Sequence, residues 1–275
     1  MRNSMQLKAF IKKLAEEKGI MPQAVLQNYM LERLLERISM SSYRERFILK
    51  GGMLIAAMVG LDSRTTMDMD ATLKGMKLTE DTVLTACNEI FSVELDDGVS
   101  FELVRIEQIR EDDIYGGYRA FINAIYEKLR VALKIDLTTG DRITPKEIRY
   151  RFSLMFDDRE IDIFAYNLET VLAEKYETII RRSTLNTRIR DYYDIYILTT
   201  FQTQNIDIDL LQKAIESTSI KRESSALLEN AKNTIDDIRN DEEMQRRWKL
   251  YQRDFKYAED IEWADIIKAI EWIMQ

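Results

Sequence analysis

The chain has 275 residues, a formal net charge of −8, one cysteine and no histidine. These counts exclude histidine-dependent catalytic triads, histidine-ligated zinc and haem, intrachain disulfides and zinc sites built from several cysteines. The content of 45% hydrophobic and 32% charged residues is typical of a globular protein. No run approaches the ~20 apolar residues of a membrane span, and the start lacks a signal-peptide pattern, so we expect a cytoplasmic protein.

Two helices are predicted in the first forty residues. Apolar residues recur at helical spacing from Leu7 onward, and Gly19 ends that segment. Pro22 begins a second helix, whose apolar positions continue to Ile38. The chain therefore starts with a helical arm.

The middle of the chain is predicted to combine short strands with two helices. The strand candidates are alternating or short apolar segments, at residues 47–49, 67–72, 101–108, 118–120, 131–137, 148–155 and 161–164. Helices are predicted at residues 53–59 and 79–91, the second with Thr79 as its N-cap.

The chain from residue 168 onward is predicted to be helical. The segments are residues 168–180, 189–201 and 208–216, with two or three further helices after residue 221. Strands that cluster between helical flanks predict an α+β fold. We expect one domain over residues 1–165 and a helical C-terminal domain over residues 166–275.

An alternating acidic segment is the sharpest chemical signal. Residues 67–72 alternate between apolar and polar, which predicts a strand with Asp68 and Asp70 on one face, ~7 Å apart. Two neighbouring carboxylates repel unless a cation lies between them, and hard oxygen ligands suit Mg2+ or Mn2+. Asp136, in a second apolar–acidic alternation, is a candidate third ligand. The alternatives are a solvated acidic strand face and, for Asp136, a polar turn.

A glycine pair lies between a predicted strand and an apolar helix. Gly51 and Gly52 follow the strand at residues 47–49 directly. Glycines at this place allow backbone amides to approach a phosphate, and a helix N terminus favours an anion. A tight turn is the alternative, but the pair precedes the acidic segment by some fifteen residues, which favours a nucleotide phosphate site.

One lysine is predicted to lie on the apolar face of its helix. Lys175 follows Val171 by four residues and precedes Ile179 by four. A lysine at such a position needs an anion, which is either a protein carboxylate or a nucleotide phosphate. Asp191 and Asp194 are candidates for the carboxylate, because each lies beside the apolar stripe of the following helix.

Arginines are concentrated around the end of this helix and in one strand. The first group is Arg181, Arg182, Arg188 and Arg190. It indicates either a solvated helix end or a contact to the phosphates of a nucleotide or RNA, and an ion pair of Arg190 with Asp194 is a further alternative. Residues 149–152 interleave arginine with aromatic residues, which suits base stacking, although an edge strand with a basic outer face is the favoured interpretation.

Five segments in order resemble a known family. They are residues 47–52 (FILKGG), 64–70 (RTTMDMD), 134–136 (KID), 168–175 (LETVLAEK) and 186–196 (NTRIRDYYDIY). Together they resemble the nucleotidyltransferase AbiEii/AbiGii toxin family, over about residues 7–200. The resemblance implies a mixed-sheet core similar to that of DNA polymerase β-like nucleotidyltransferases, followed by a helical region.

The resemblance also implies a function, cofactors and partners. Members are bacterial toxins of toxin–antitoxin and abortive-infection phage-defence systems, with a winged-helix repressor as the usual antitoxin. Some relatives transfer a nucleotide from an NTP to the 3′ end of tRNA, and for this chain we expect an NTP substrate with Mg2+ or Mn2+ as the cofactor. The implied catalytic residues are Asp68, Asp70, Asp136, Lys175, Asp191 and Asp194, the first three as metal ligands. The implied nucleotide-binding residues are Lys50, Gly51, Gly52, Arg64, Thr66 and Arg190.

The chain departs from the family pattern at two positions. Gly52 replaces a frequent serine, so no hydroxyl contacts phosphate there, and Arg190 replaces a frequent lysine. Both changes keep the charge pattern. Two other functions stay open: transfer of NMP to a protein side chain, and a catalytically inactive module that binds a nucleotide or a partner.

Overall fold

The computed structural model describes residues 3–109 and 116–274 of the chain. These residues form two compact units. Unit 1 comprises Met1–Asp141 and Ile148–Ala165, and unit 2 comprises Arg142–Glu147 and Tyr166–Gln275. The terminal positions of the two expected domains, and residues 110–115 within the first, lie outside the described part.

Unit 1 combines a mixed sheet with four helices among its described residues. The helices are α1 (Ser4–Lys18), α2 (Pro22–Met40), α3 (Gly51–Val59) and α4 (Glu80–Phe91). The strands are β1 (Phe47–Lys50), β2 (Met69–Leu73), β3 (Val99–Ile109), β4 (Gly117–Tyr126), β5 (Leu129–Thr139), β6 (Ile148–Ser153) and β7 (Glu160–Ala165). The predicted α+β fold with a mixed sheet is confirmed.

The seven strands form one sheet in the order β3-β4-β5-β2-β1-β7-β6. The β2–β5 and β1–β7 pairs are parallel, and the other four pairs are antiparallel. Helix α2 packs on β5 and α4 packs on β3, which covers the apolar sheet face. The alternate residues of β5, from Val131 to Leu137, are buried and supply this face.

Unit 2 contains helices and no strand among its described residues. Its helices are α5 (Leu168–Arg182), α6 (Ile189–Phe201), α7 (Ile208–Lys221), α8 (Ser225–Glu229), α9 (Ala231–Asn240), α10 (Glu242–Asp254) and α11 (Trp263–Trp272). Four α-helices follow residue 221, so the prediction of two or three is wrong by at least one. The additional helix, α8, has five residues, which is too short to show an apolar periodicity.

Capping residues account for several helix boundaries. Asn3 accepts a hydrogen bond from Gln6 N at the start of α1, and Gly19 ends this helix in the left-handed conformation, with φ +64°. The side chain of Thr79 caps α4 and forms a reciprocal capping box with Thr82. The predicted roles of Gly19 and Thr79 are therefore confirmed. Among the described helices, none is both long and apolar enough to cross a membrane.

A buried carboxyl group lies in α2. Oε2 of Glu32 accepts a hydrogen bond from the backbone N–H of Met155 at 2.9 Å, and Arg33 lies 3.9 Å away. Burial raises the pKa of Glu32 to about 8, although the Met155 N–H and Arg33 act in the opposite direction; Glu36 adds to the increase. Glu32 is therefore protonated in the folded chain at neutral pH.

Replacing Glu32 with glutamine is expected to stabilise the protein at alkaline pH. The pKa of Glu32 is raised in the folded state, so the folded chain holds one more proton than the unfolded chain between pH ~4.5 and about 8. The free energy of unfolding of the wild-type protein therefore falls by about 1.4 kcal/mol for each unit that the pH rises across this window. Glutamine keeps the acceptor oxygen and has no charge. Urea unfolding should show nearly equal stability at pH 4.5 and a gain of about 4 kcal/mol for Glu32→Gln at pH 8.5.

The exposed Glu16 offers a matched control, because Glu16→Gln makes the same substitution on α1 in a solvated pair with Lys12. This variant is expected to match the wild type within ~0.5 kcal/mol at both pH values. A Glu32→Gln variant that is less stable than the wild type at pH 8.5 would show that the buried group is ionised and needed as an anion.

Candidate active site

The two acidic residues of the predicted pair lie at the start of β2, but only one is in the strand. Asp70 is the second residue of β2, and Asp68 lies in the bend that precedes it. The prediction of a strand from residue 67 is therefore wrong at its first two positions. The hydroxyl of Thr66 donates to the Asp68 carboxylate at 2.9 Å and to its backbone oxygen at 3.1 Å. These bonds turn the chain before the ladder begins.

Strand register places four charged side chains in a row on one sheet face. Lys50 pairs with Asp70, Asp70 with Asp136, and Asp136 with Arg119, on strands β1, β2, β5 and β4 in turn. Residues that are directly opposite in neighbouring strands have Cβ atoms about 5 Å apart and point to the same side. The order of charges across the sheet is therefore cation, anion, anion, cation.

Gly51 brings the start of α3 against Asp70. Its φ is +68°, and a Cβ at this position would lie 2.8 Å from the Asp70 Cβ and closer still to Oδ2. At Gly52 a Cβ would lie 2.8 Å from Thr66 Oγ1 and 3.0 Å from an Arg64 guanidinium nitrogen. The sequence-predicted glycine pair and acidic segment are thus in contact, which only residues without a side chain permit.

Replacing Gly51 with alanine is expected to destabilise the chain by more than its backbone conformation explains. A positive φ costs an alanine about 1 kcal/mol, and the new methyl group also overlaps the Asp70 carboxylate. Gly19 is a matched control, because it has φ +64° and a Cβ there would have no neighbouring atom within 4 Å. Thermal unfolding should show a small loss for Gly19→Ala and a loss at least twofold larger for Gly51→Ala. Equal losses would show that Asp70 moves away without cost.

Arg64 and Thr66 are buried rather than open to a ligand. Both side chains lie against Gly52 and are nearly inaccessible to solvent. Arg64 also donates to the backbone oxygen of Thr65. Asn28, in α2, donates to the Thr66 backbone oxygen at 2.7 Å. These contacts fix the segment before β2, so the immediate effect of both predicted nucleotide-binding residues is to position Asp68 and Gly52.

Arg119 holds the third carboxylate, and sequence analysis missed it. Its Nε and Nη2 each donate to one oxygen of Asp136, both at 2.7 Å. The hydrogen bond to Asp136 raises the pKa of Arg119 despite partial burial, and the charges of Asp68 and Asp70 act in the same direction. The guanidinium therefore lies within electrostatic reach of all three carboxylates.

The assignment of Asp68, Asp70 and Asp136 as metal ligands stays a prediction. Within residues 3–109 and 116–274, no group of three or more acidic or cysteine side chains has an arrangement that could hold a metal ion. Both oxygens of Asp136 are used by Arg119. Asp68 and Asp70 still offer hard oxygen donors on one short segment. The donor chemistry thus fits a divalent cation held by two carboxylates and completed by ligand oxygens.

Asp141 ties together the strands that carry the site. It accepts hydrogen bonds from Lys50 of β1 and, at 2.6 Å, from Thr138 of β5, with Thr72 of β2 as a third donor. Burial alone would raise the pKa of Asp141, but Lys50 and the two hydroxyls lower it to about 2. The structure thus places Lys50, a predicted nucleotide-binding residue, in an ion pair that joins three adjacent strands.

Unit 2 contains a buried ion-pair cluster around Lys175. Its Nζ lies 2.9 Å from Asp191 Oδ1 and 2.7 Å from Asp194 Oδ2, and Asp194 is completely buried. Arg188 binds the other oxygen of Asp191 at 2.7 Å. Burial alone would lower the pKa of Lys175, but the two aspartates raise it, and Lys175 together with Arg188 lowers the pKa of Asp191 against the effect of burial. Lys175 and Asp191 are therefore both charged.

The other arginines singled out in the sequence either contact a neighbouring side chain or are exposed on the surface. Arg190 lies over the Phe255 ring, 5.1 Å from its centroid, and Arg181 pairs with Glu177 at 2.9 Å. In unit 1, β6 is an edge strand of the described sheet, and Arg149 and Arg151 are exposed on it. The favoured interpretation of residues 149–152 as a basic edge strand is confirmed.

Comparison with known proteins identifies the fold and a family. The family described as nucleotidyl transferase AbiEii toxin, type IV TA system, matches residues 33–275. A crystal structure of a candidate nucleotidyltransferase from Helicobacter pylori superposes with a TM-score of 0.55 at 13% identity, covering 92% of this chain and 96% of that one. The structure of JHP933 from Helicobacter pylori gives 0.54 at 13% identity, with 91% of each chain covered. No curated protein matches the sequence.

Proposed function

Because the chain belongs to the AbiEii nucleotidyl transferase toxin family of type IV toxin–antitoxin systems, we propose that it transfers NMP from an NTP to the 3′ end of tRNA. The reaction joins the 3′ oxygen of the acceptor to the α-phosphorus and breaks the bond to the β-phosphate. The acceptor hydroxyl loses its proton and pyrophosphate leaves. As a member of this family the chain is a toxin with an antitoxin partner.

The observation that carries the proposal is the acidic row beside the glycine turn. Asp70 and Asp136 are neighbours across β2 and β5, and the Asp70 carboxylate lies against Gly51 at the start of α3. A pair of carboxylates beside a helix N terminus combines a cation site with a place for anionic phosphates. Such a combination suits the triphosphate of a nucleotide.

Asp68 and Asp70 are the residues that we propose to hold Mg2+ or Mn2+ with the nucleotide. A bound divalent cation would neutralise phosphate charge and polarise the α-phosphate. The backbone N–H groups at Gly51 and Gly52 are proposed to donate to the β- and γ-phosphates. The N-cap residue is Lys50, whose ammonium group has no acceptor atom for these amides and donates to Asp141 instead. Asp136 is proposed to orient or deprotonate the acceptor hydroxyl.

The cluster in unit 2 is proposed to supply a cation for the leaving pyrophosphate. Lys175 is held in place by Asp191 and Asp194, so its ammonium group has a fixed position and keeps its charge. A preorganised cation stabilises charge in a transition state better than a mobile one. Arg190, half-buried on Phe255, is proposed to contact the nucleotide.

The biological setting is proposed from the family resemblance. We propose that a winged-helix repressor is the antitoxin, that the system acts in phage defence through abortive infection, and that the reaction takes place in the cytoplasm, where NTPs and tRNA occur. The exposed Arg149 and Arg151 and the arginines after α5 offer charge for contacts with RNA phosphates.

The test of the proposed function is a label-transfer assay. Purified protein is incubated with Mg2+, each α-labelled NTP in turn, total tRNA and cell extract, and the products are separated on a denaturing gel. The proposal predicts label on tRNA. Label on protein alone would identify protein-directed NMP transfer instead. Absence of label on both, together with absence of metal-dependent NTP binding, would indicate a binding module without catalytic activity.

A further inference from the structure

The Arg119–Asp136 pair lies inside the acidic row rather than at its margin. Asp136 is flanked by Asp70 on one side and by Arg119 on the other, on consecutive strands. Both guanidinium contacts are 2.7 Å long and use both carboxylate oxygens. Such a bidentate contact is the strongest form of arginine–carboxylate pair and leaves few acceptor sites for another cation.

The Arg119 guanidinium group supplies positive charge to the acidic row from within the protein. Two carboxylates in adjacent register positions repel, and the repulsion requires positive charge nearby. Lys50, the other cation of the row, is opposite Asp70 and not opposite Asp136 in the strand register. Arg119 therefore provides the positive charge that compensates Asp136, and it lies close enough to Asp68 and Asp70 to be influenced by both.

We propose that Arg119 competes with the divalent cation for Asp136 and thereby sets the cation affinity of the site. The inference rests on the proposed function, in which Asp68 and Asp70 take the cation. While Arg119 holds Asp136, a cation finds two carboxylates and a nearby positive charge. The free chain then binds the cation weakly, and nucleotide phosphates are needed to hold it firmly. Arg119 is a positioning residue in this account, because it acts through Asp136.

A purely structural role for Arg119 makes a different prediction. The pair joins β4 to β5, and its removal would then lower stability without increasing any affinity. However, these strands are already paired over nine register positions from Tyr118 to Tyr126, and the Arg119 side chain is about one third exposed. A purely structural role predicts lower stability with unchanged cation affinity, whereas the competing role predicts a higher cation affinity.

The test is a titration of the full-length protein with Mn2+ in the absence of nucleotide, followed by the EPR signal of free Mn2+. Arg119→Gln is expected to bind Mn2+ about tenfold more tightly than the wild type, since one positive charge is removed and Asp136 is freed. Arg119→Lys keeps the positive charge but cannot make the bidentate contact. Its Mn2+ affinity is expected to lie between those of the wild type and Arg119→Gln. Arg130→Gln is the matched control, because Arg130 is also in the hairpin but pairs with Glu102 at the surface. Its affinity should equal that of the wild type.

The outcomes separate this inference from the proposed function. Wild-type binding that is lost in Asp70→Asn but unchanged in Arg119→Gln and Arg119→Lys overturns the role of Arg119 and leaves the proposed cation site intact. Absence of Mn2+ binding in the wild type and in both Arg119 variants overturns the cation site and the inference together. Circular dichroism of each variant establishes that the fold is retained, and Arg119→Lys serves if Arg119→Gln is unfolded.

Discussion

Replacing Asp70 with asparagine should reduce NMP transfer by about 10³-fold or more while leaving the fold intact. Asp70 is the residue that the row, the glycine turn and the proposed cation have in common. Asparagine has nearly the same shape, so Gly51 still accommodates the side chain, but the negative charge that holds a cation is lost. Initial rates with α-labelled NTP, together with the thermal midpoints of both proteins, measure the effect.

Asp62 provides the control for this substitution. It is an exposed aspartate of unit 1 that pairs with Lys18 at 3.1 Å, so Asp62→Asn removes the same charge outside the row. Its transfer rate should stay within twofold of the wild type. An Asp70→Asn protein that transfers NMP at the wild-type rate would refute the assignment of the cation to Asp70.

The second large effect concerns stability. Replacing Lys175 with methionine is expected to cost about 3–5 kcal/mol of folding free energy, because it leaves the buried carboxylates of Asp191 and Asp194 without their shared partner. Methionine fills a similar volume, so the loss reflects charge rather than a cavity. Adding Asp194→Leu to this variant should recover a large part of the loss, since a buried charge is then removed. Denaturant unfolding at pH 7 gives both values.

Lys268 is the matched control for Lys175. It also pairs with an aspartate, Asp265 at 2.8 Å, but its side chain is 72% exposed. Lys268→Met is expected to change stability by less than ~1 kcal/mol, because exposed pairs contribute little. If Lys175→Met were as stable as Lys268→Met, the buried cluster would be held by something other than its charges.

Local sequence rules account for most of the helices and for the order of the site segments. The Gly19 and Thr79 signals act within one turn of the chain, where capping geometry is set by neighbouring residues. The position of Lys175 on an apolar helix face predicts its pairing, since a buried lysine needs an anion wherever the rest of the chain lies. The carboxylate alternative is the one that the structure shows, with Asp191 and Asp194.

The strand bearing Asp70 is less predictable at its beginning. Alternation over residues 67–72 predicts that Asp68 and Asp70 share a strand face. The Thr66 hydroxyl bonds to Asp68 instead, and the ladder begins at Met69. A threonine two residues before an aspartate competes with strand pairing through such side-chain bonds, which periodicity does not detect.

Arg119 could not be found from its own surroundings in the sequence. It is opposite Asp136 only because β4 and β5 form a hairpin whose register pairs Tyr126 with Leu129. Apolar residues occupy both faces of β4, so the alternation that would have extended the predicted strand beyond residue 120 is weak. Asp141 was missed for a related reason, because its three donors come from three different strands.

The most direct test of nucleotidyl transfer compares two positions of the label in one NTP. Wild-type protein, Mg2+ and tRNA are incubated with the NTP labelled at the α-phosphate or at the γ-phosphate. We predict label on the tRNA 3′ end from the α-labelled NTP only, with the γ label released in pyrophosphate. Label on tRNA from the γ position, or an unmodified tRNA from both under conditions in which Mg–NTP binds, would contradict the proposed function.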